Sequence, residues 1–315
     1  MQESLQRISI VLPVYNEQLN VPLVHEALVR VFKEKLPDLD YEILFVNDGS
    51  RDESLKVLRE LSERDSHVRF ISFTRNFGHQ AAITAGIHHA TGNAIITMDS
   101  DLQHPPETIP EMVQAWQAGA KVVYARRRAQ ATSAFKRVSS EAYYKLLNKV
   151  AEVEMPRDVG DFRLIDRVVQ GYVKDFREQS LYIRGVVAWL GFDHEIVDYD
   201  EPGRQHGTSN YTIGKMVKLA MNGLVSNSSL PLKLSFWLGV FSVLMAGGFF
   251  LFIFYMHFIH GTNYQLYKWL IVILLGMSGV QFILIWILGE YVGRVYGDVR
   301  QRPKYVVGAS NISNS

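Results

Sequence analysis

Cysteine is absent from this chain of 315 residues. That removes a disulfide framework and a thiol nucleophile, and it suits a catalytic portion facing a reducing cytosol. A surplus of charge is missing as well: 33 Lys and Arg stand against 32 Asp and Glu, so net charge makes no case for nucleic acid. Met1 to Gln6 is too polar and too short for a signal peptide, and an apolar strand follows at once. The N-terminal portion is therefore expected to stay cytosolic. No G-x-G-x-x-G follows that strand, which counts against a dinucleotide fingerprint. Charge is also missing from two long runs near the C-terminus, 234–256 and 269–289, so a polar first two-thirds gives way to an apolar last third.

Within the polar part, short apolar runs at 8–14, 41–46, 68–73 and 94–98 read as buried strands. Segments 21–35, 53–64 and 80–90, with apolar residues at helical spacing, read as helices between them. A helix over 107–118 and strands at 121–125 and 194–199 extend the series. Alternation of this kind implies an α/β fold with a mostly parallel sheet and helices on both faces. In such sheets the ligand crevice lies beyond the carboxyl ends of the strands.

The fourth strand ends in Asp99-Ser100-Asp101-Leu102-Gln103-His104-Pro105-Pro106. Taken alone, an Asp-x-Asp is more often a solvated strand end than a metal site. At the carboxyl end of a buried strand, with the amide oxygen of Gln103 nearby, Asp99 and Asp101 form a hard oxygen cluster suited to Mg²⁺ or Mn²⁺ with phosphate completing the shell. Arg126-Arg127-Arg128 and the polar stretch after it read as a basic loop, suited to phosphate capture or to plain solvation. The segment 158–164 reads as a further site-forming stretch, and 204–211 as a turn before a helix.

Residues 211–225 place Ile213, Met216, Val217, Ala220 and Leu224 on one face and Lys215 and Lys218 elsewhere, the pattern of an interfacial amphipathic helix. The runs 234–256 and 269–289 are each long enough to cross roughly 30 Å of hydrocarbon as a helix. Trp237, Tyr255, Tyr267 and Trp269 lie towards their ends. Lys233, Arg294, Arg300, Arg302 and Lys304 flank them on one side, while the connecting loop 257–268 has only Lys268. This bias puts both termini in the cytosol. The expected organisation is a cytosolic catalytic domain (1–210), an interfacial helix and linker (211–232), a two-helix transmembrane hairpin (233–290) and a cytosolic tail (291–315). The expected location is the cytoplasmic (inner) membrane. Gly247-Gly248 and Gly276-x-x-Gly279 permit close helix contact, so a homo-oligomer is expected.

Taken together, Leu12-Pro13-Val14-Tyr15-Asn16-Glu17, Val46-Asn47-Asp48-Gly49-Ser50, Arg75-Asn76-Phe77-Gly78, the Asp99–Pro106 run and Phe162-Arg163-Leu164 resemble the family 2 glycosyltransferases. Within them the match is to the polyprenyl-phosphate glycosyltransferases related to dolichol-phosphate mannose synthase and to the GtrB and ArnC enzymes. The resemblance covers nearly the whole chain and implies a GT-A (Rossmann-like) fold, a nucleotide-sugar donor and a polyprenyl phosphate acceptor in the lipid bilayer. It puts Pro13, Tyr15, Glu17, Asp48, Arg75, Gly78 and Asp99 at the nucleotide sugar, and Asp99, Asp101 and Gln103 at the metal. Arg163, Arg204, Ser209 and Tyr211 fall on the acceptor phosphate. Asn210 stands where the family often has a basic residue.

The implied reaction is inverting transfer of a hexose, above all glucose from UDP-glucose, onto undecaprenyl phosphate, with GDP-mannose or a UDP-pentose as the alternative donor. Charge shed by the departing diphosphate would fall to the ion on Asp101 and to Arg163. Asp158 is the candidate for a general base or for orienting the acceptor, with Asp161 second. A processive synthase fits poorly, because Gln179 to Arg184 lacks the Trp of the Gln-x-x-Arg-Trp signature. A membrane-anchored nucleotide-sugar-binding scaffold without turnover is the reading from another class, and the intact Asp99/Asp101/Gln103 set weighs against it. Neither apolar run contains an ionisable residue, which disfavours a transporter.

Overall fold

The computed structural model describes residues 6–128, 159–176, 182–200, 266–299 and 302–312, with isolated positions between 237 and 259. Strand β1 (Arg7–Val14) opens the chain and α1 (Asn20–Lys35) follows it. Next come β2 (Asp40–Asn47), α2 (Ser54–Arg64), β3 (Val68–Phe73), α3 (His79–His89) and β4 (Ala94–Thr97). A 3₁₀ turn leads into α4 (Ile109–Gln117) and β5 (Val122–Arg127). After them come β6 (Val159–Asp166), α5 (Arg167–Asp175), α6 (Ile183–Trp189) and β7 (His194–Tyr199). Helix α7 (Leu266–Val299) and strand β8 (Val307–Ser310) complete the described elements.

One eight-stranded sheet runs in the order β7-β5-β6-β4-β1-β2-β3-β8. Only β6 and β8 run against the rest. Along β1 the side chains divide by the period of two: Ile8, Ile10, Leu12 and Val14 join the apolar layer with Val24, Leu28, Leu58 and Met112 of α1, α2 and α4. Val11 faces the other layer, with Ala82, Ile83, Val169 and Ile183 of α3, α5 and α6. Helix α3 lies close against β1: a Cβ on Gly86 would come within 2.1 Å of Val11 Cγ1. Away from the strands' carboxyl ends, buried Glu42 accepts from Ser9 Oγ, Thr91 N and Arg69 Nη1. Those partners hold its carboxyl below its ordinary pKa although burial pushes the other way.

Three elements differ from the sequence reading. Arg126 and Arg127 belong to β5 rather than to a loop, and Arg126 makes a bidentate pair with Asp198 at 2.6 and 3.0 Å. Arg128 pairs with Asp200 at 3.2 Å, so acids at and just beyond the end of β7 engage this basic run. Helix α5 starts where Asp166 caps it, accepting from Val168 N, and it buries Val169 and Val173 one turn apart. The C-terminal residues are a strand: β8 pairs antiparallel with β3, Val307 opposite Phe73 and Ser310 opposite Ile71.

The chain divides into two compact units, Met1–Ile213 with Arg302–Ser315, and Gly214–Gln301. In the second, α7 runs for 34 residues and exposes Leu274, Ile283, Ile285, Trp286 and Leu288 by more than half. Searched over the described residues alone, no helix is long and apolar enough to cross a membrane. The first apolar run and the amphipathic segment lie almost wholly outside the described residues.

His88 of α3 has a buried Nε2 without a hydrogen-bond partner. Burial first, then Lys304 and Lys174, pull its imidazole down to about 4 from 6.5. A lowered His pKa means that the unfolded chain takes up the proton first, so stability is lost as pH falls from about 6.5 to 4. Thermal midpoints measured across that window are expected to fall less steeply for His88→Gln than for the native protein.

Candidate active site

Four parallel strands, β1 to β4, end at one rim of the sheet, and their exit loops are tied to one another. Asn16 takes up the left-handed backbone region (φ 58°), donates from its N–H to Ser50 Oγ and accepts from Arg51 N. Glu17 N donates to Ser54 Oγ, and the Glu17 carboxylate accepts from Asn20 Nδ2. Ser100 Oγ donates to the carbonyl of Pro13 at 2.9 Å, joining the first loop to the Asp-x-Asp. Tyr15 stays 43% exposed at the rim.

Asp48 is buried, and both of its oxygens are spent on the loop after β3, accepting from Phe77 N at 2.6 Å and Gly78 N at 2.9 Å. Burial outweighs those N–H groups and pushes its carboxyl above the ordinary value. Next to it, Gly49 (φ +64°) lies so near the loop that a Cβ would come within 2.3 Å of the Arg75 carbonyl carbon. Only glycine tolerates both the angle and the approach. The Arg75 guanidinium stacks over the Phe77 ring at 4.0 Å.

Beyond β4 the chain bends sharply. Leu102 is left-handed (φ 62°), Asp101 Oδ1 accepts from Gln103 N, and Asp99 N donates to His104 Nδ1. The Asp99 carboxylate is 38% exposed at the rim. Its neighbour is His79, the first residue of α3, whose Nε2 stands 3.6 Å from Asp99 Oδ1 and 3.3 Å from Asp161 Oδ2.

Asp161 is the hub. From the antiparallel strand β6 it meets Arg163 Nη2 at 2.9 Å and a bidentate Arg184 at 2.9 and 2.7 Å. Burial would raise its pKa, but Arg184, His79 and Arg163 together hold it well below the carboxylate range. Burial lowers the His79 pKa, yet Asp161 and Asp99 more than reverse that, so the net shift is upward. A carboxylate held this way is a weak proton acceptor and a strong anchor.

Asp99, Asp161 and Arg163 thus come together around β4 and β6 with His79 between the two aspartates. Asp101 follows in the bend after β4, and Pro13, Tyr15, Glu17, Asp48, Arg75 and Gly78 lie at the ends of β1 to β3 or in the loops that follow them. Arg163 is 1% exposed and also donates to Gly160 O, so it braces the site from beneath. Arg184, one-third exposed, is the guanidinium nearer solvent. Asp158, Arg204, Ser209 and Tyr211 lie outside the described residues. Sequence reasoning missed His79 and Arg184 as site members. The available signals were a histidine directly after Arg75-Asn76-Phe77-Gly78 and a lone arginine at the start of a short helix.

Asp99 and Asp101, one residue apart at the rim, are oxygen donors of the kind Mg²⁺ or Mn²⁺ takes, the ion drawing its other oxygens from phosphate and water. Among the described residues no group of three or more His, Asp or Glu is placed to hold a metal.

This sheet, with its Asp-x-Asp at the carboxyl rim, defines a GT-A glycosyltransferase domain. Residues 9–170 match Glycosyl transferase family 2, and the chain belongs to that family. It is similar to an uncharacterized glycosyltransferase, YkcC, of Bacillus subtilis, 43% identical over 308 residues, 96% of this chain and 93% of that one. It is also similar to the SfII prophage-derived bactoprenol glucosyl transferase of Shigella flexneri, 38% identical over 309 residues, 98% and 99% of the two chains. Among solved structures, glucosyl-3-phosphoglycerate synthase from Mycobacterium tuberculosis, in complex with Mn²⁺, UDP and phosphoglyceric acid, overlays with a TM-score of 0.48. That overlay is at 18% identity, over 70% of this chain and 78% of that one.

Asp161→Asn leaves the buried Arg163 without its counter-charge and is expected to cost about 3–5 kcal/mol of stability. Asp99→Asn, at a rim carboxylate, is expected to change stability by less than about 1 kcal/mol. Unfolding of the purified variants in denaturant measures both.

Proposed function

We propose that this glycosyltransferase moves a hexose, glucose from UDP-glucose, onto a polyprenyl phosphate at the cytosolic leaflet of the membrane, with inversion at the sugar. The observation that carries this reading is where the chain leaves and re-enters its sheet. It leaves from the carboxyl end of β7, at the rim where Arg127 lies opposite Tyr199. It returns into β8 at the carboxyl end of β3. These are the two edge strands, roughly 34 Å apart over seven inter-strand gaps. Within the sheet, the carboxyl end of β7 and the start of β8 therefore both lie at the rim that holds Asp99 and Asp101. Because both ends of that segment join one unit, any bilayer it spans is crossed an even number of times. The uncharged run 269–289 and the exposed apolar side chains of α7 support a membrane hairpin, and a relative named bactoprenol glucosyl transferase over nearly the whole chain supports the sugar and the lipid acceptor.

The acceptor phosphate is anionic near neutral pH. Its oxygen bonds to the anomeric carbon as the bond from that carbon to the UDP β-phosphate oxygen breaks, giving a glycosyl phospholipid and UDP. Positioning and charge stabilisation supply most of the acceleration. Asp99, Asp101 and Gln103 would hold Mg²⁺ or Mn²⁺, which when bound neutralises charge on the leaving diphosphate. Arg163, Arg184 and His79 are the basic groups that face Asp99 and Asp161. Asp161 keeps Arg184 and His79 aimed across the cleft, and its depressed pKa makes it an orienting anion rather than a base.

Purified full-length protein with undecaprenyl phosphate, Mg²⁺ or Mn²⁺ and labelled UDP-glucose, GDP-mannose or UDP-pentose should put label into lipid from UDP-glucose above the others. Chelation should abolish transfer, and Asp101→Ala should lower it about a thousandfold, since metal stabilisation amounts to several kcal/mol. Lipid labelled mainly from GDP-mannose overturns the donor, and full activity of Asp101→Ala overturns the metal site.

A further inference from the structure

The residues that follow the apolar segment reach back to the donor side of the rim. We propose that Tyr305, with the strand β8 it leads into, is a positioning part of the nucleotide pocket, holding the loop Thr74–Gly78 in the shape that accepts the donor. This rests on the reading of Asp48, Arg75 and Gly78 as that pocket.

The loop has no regular hydrogen bonding of its own and is gripped from two sides. On one side stand the Asp48 carboxylate, bonded to Phe77 N and Gly78 N, and Gly49 packed against the backbone of Arg75 and Asn76. On the other stands the C-terminal segment. Thr74 N donates to Val306 O at 3.0 Å, and Gly308 passes so near Thr74 that a Cβ would lie 3.2 Å from its methyl carbon. The Tyr305 ring stacks on Phe73 at 4.9 Å with 17° between planes. Phe73 meets Phe77 edge-on at 5.7 Å, and Arg75 lies over Phe77. Four side chains thus form one continuous stack, from Tyr305 in the C-terminal segment to Arg75 at the nucleotide rim.

The segment is fastened on both sides of that stack. Lys304 Nζ donates to Phe176 O at 2.7 Å. Asn311 Oδ1 accepts from Phe70 N at 2.7 Å, and Asn311 Nδ2 donates to Val68 O at 3.1 Å. A segment anchored at each end does more than cover a sheet edge: it fixes the loop before any ligand arrives. Ordering a loop beforehand removes that cost from binding, so releasing one side should show as weaker donor affinity while the chemical step stays intact.

UDP binding to the full-length protein with Mn²⁺, by calorimetry, and steady-state transfer test this. Tyr305→Ala should raise the UDP Kd and the donor KM roughly tenfold, with kcat at saturating donor and the acceptor KM within about twofold. Tyr305→Phe, which keeps the stack, should restore the native values. An unchanged Kd for Tyr305→Ala, with only a lower unfolding temperature, reduces the segment to sheet packing and overturns the proposal. Asp48→Asn separates the two readings. If it weakens UDP binding while Tyr305→Ala does not, the pocket stands and the strap falls; if it too leaves UDP binding unchanged, the pocket reading itself falls. Should Tyr305→Ala fail to fold, Asn311→Ala releases the far anchor and should raise the same Kd severalfold, an unchanged value again overturning the proposal.

Discussion

A carboxylate out of water keeps its charge only if partners come with it, and Asp161 brings two guanidinium groups and a histidine. Removing any one partner from such a cluster leaves an uncompensated charge in a low-dielectric place, so the group holds together as a whole. Through it, β6 is fixed to α6 by Arg184 and to α3 by His79, while Thr97 Oγ1 donates to the Asp161 carbonyl and ties in β4. The Asp99 carboxylate, which alone would be an exposed strand end, is thereby faced by a histidine fixed from behind. Rigid support beneath an exposed reactive rim is what pre-organised charge stabilisation requires.

The antiparallel placement of β6 has a functional meaning. A strand running with the others would bring its carboxyl end to the rim. Running against them, β6 delivers its amino end there, with Asp161 and Arg163 as its third and fifth residues. The site is therefore built from the exits of four strands and the entrance of a fifth. That combination lets basic and acidic groups from distant parts of the chain converge.

Much of this was legible in the sequence. The strands over 8–14, 68–73 and 194–199 are continuous apolar or alternating runs bounded by polar turns, and the structure has them as Arg7–Val14, Val68–Phe73 and His194–Tyr199. Asp99 and Asp101 stood out as paired oxygen donors at the carboxyl end of a buried strand, and Asp48 through the resemblance to the family 2 glycosyltransferases. What did not show was whatever depends on partners far along the chain. The arginines at 126 and 128 look like a free basic run until β7 supplies Asp198 and Asp200. Arg163 looks like a ligand for phosphate until burial places it under the site. His79 gains its role only from two carboxylates 20 and 82 positions further along the chain. The residues of β8 are small and partly polar, and nothing local marks Val307–Ser310 as a strand; its partner lies some 240 residues earlier.

That last pairing sets an order of events for the growing polypeptide. An unpaired β-edge is a template for association with other chains, and here the edge of β3 is closed by a strand encoded after the apolar segment. While the apolar segment is being made and finds its surroundings, the outer hydrogen-bonding groups of Ile71 to Phe73 have no β8 to meet. The sheet can be finished only once the ribosome has delivered the far side of that segment, so maturation of the sugar-handling half waits on the hydrophobic half.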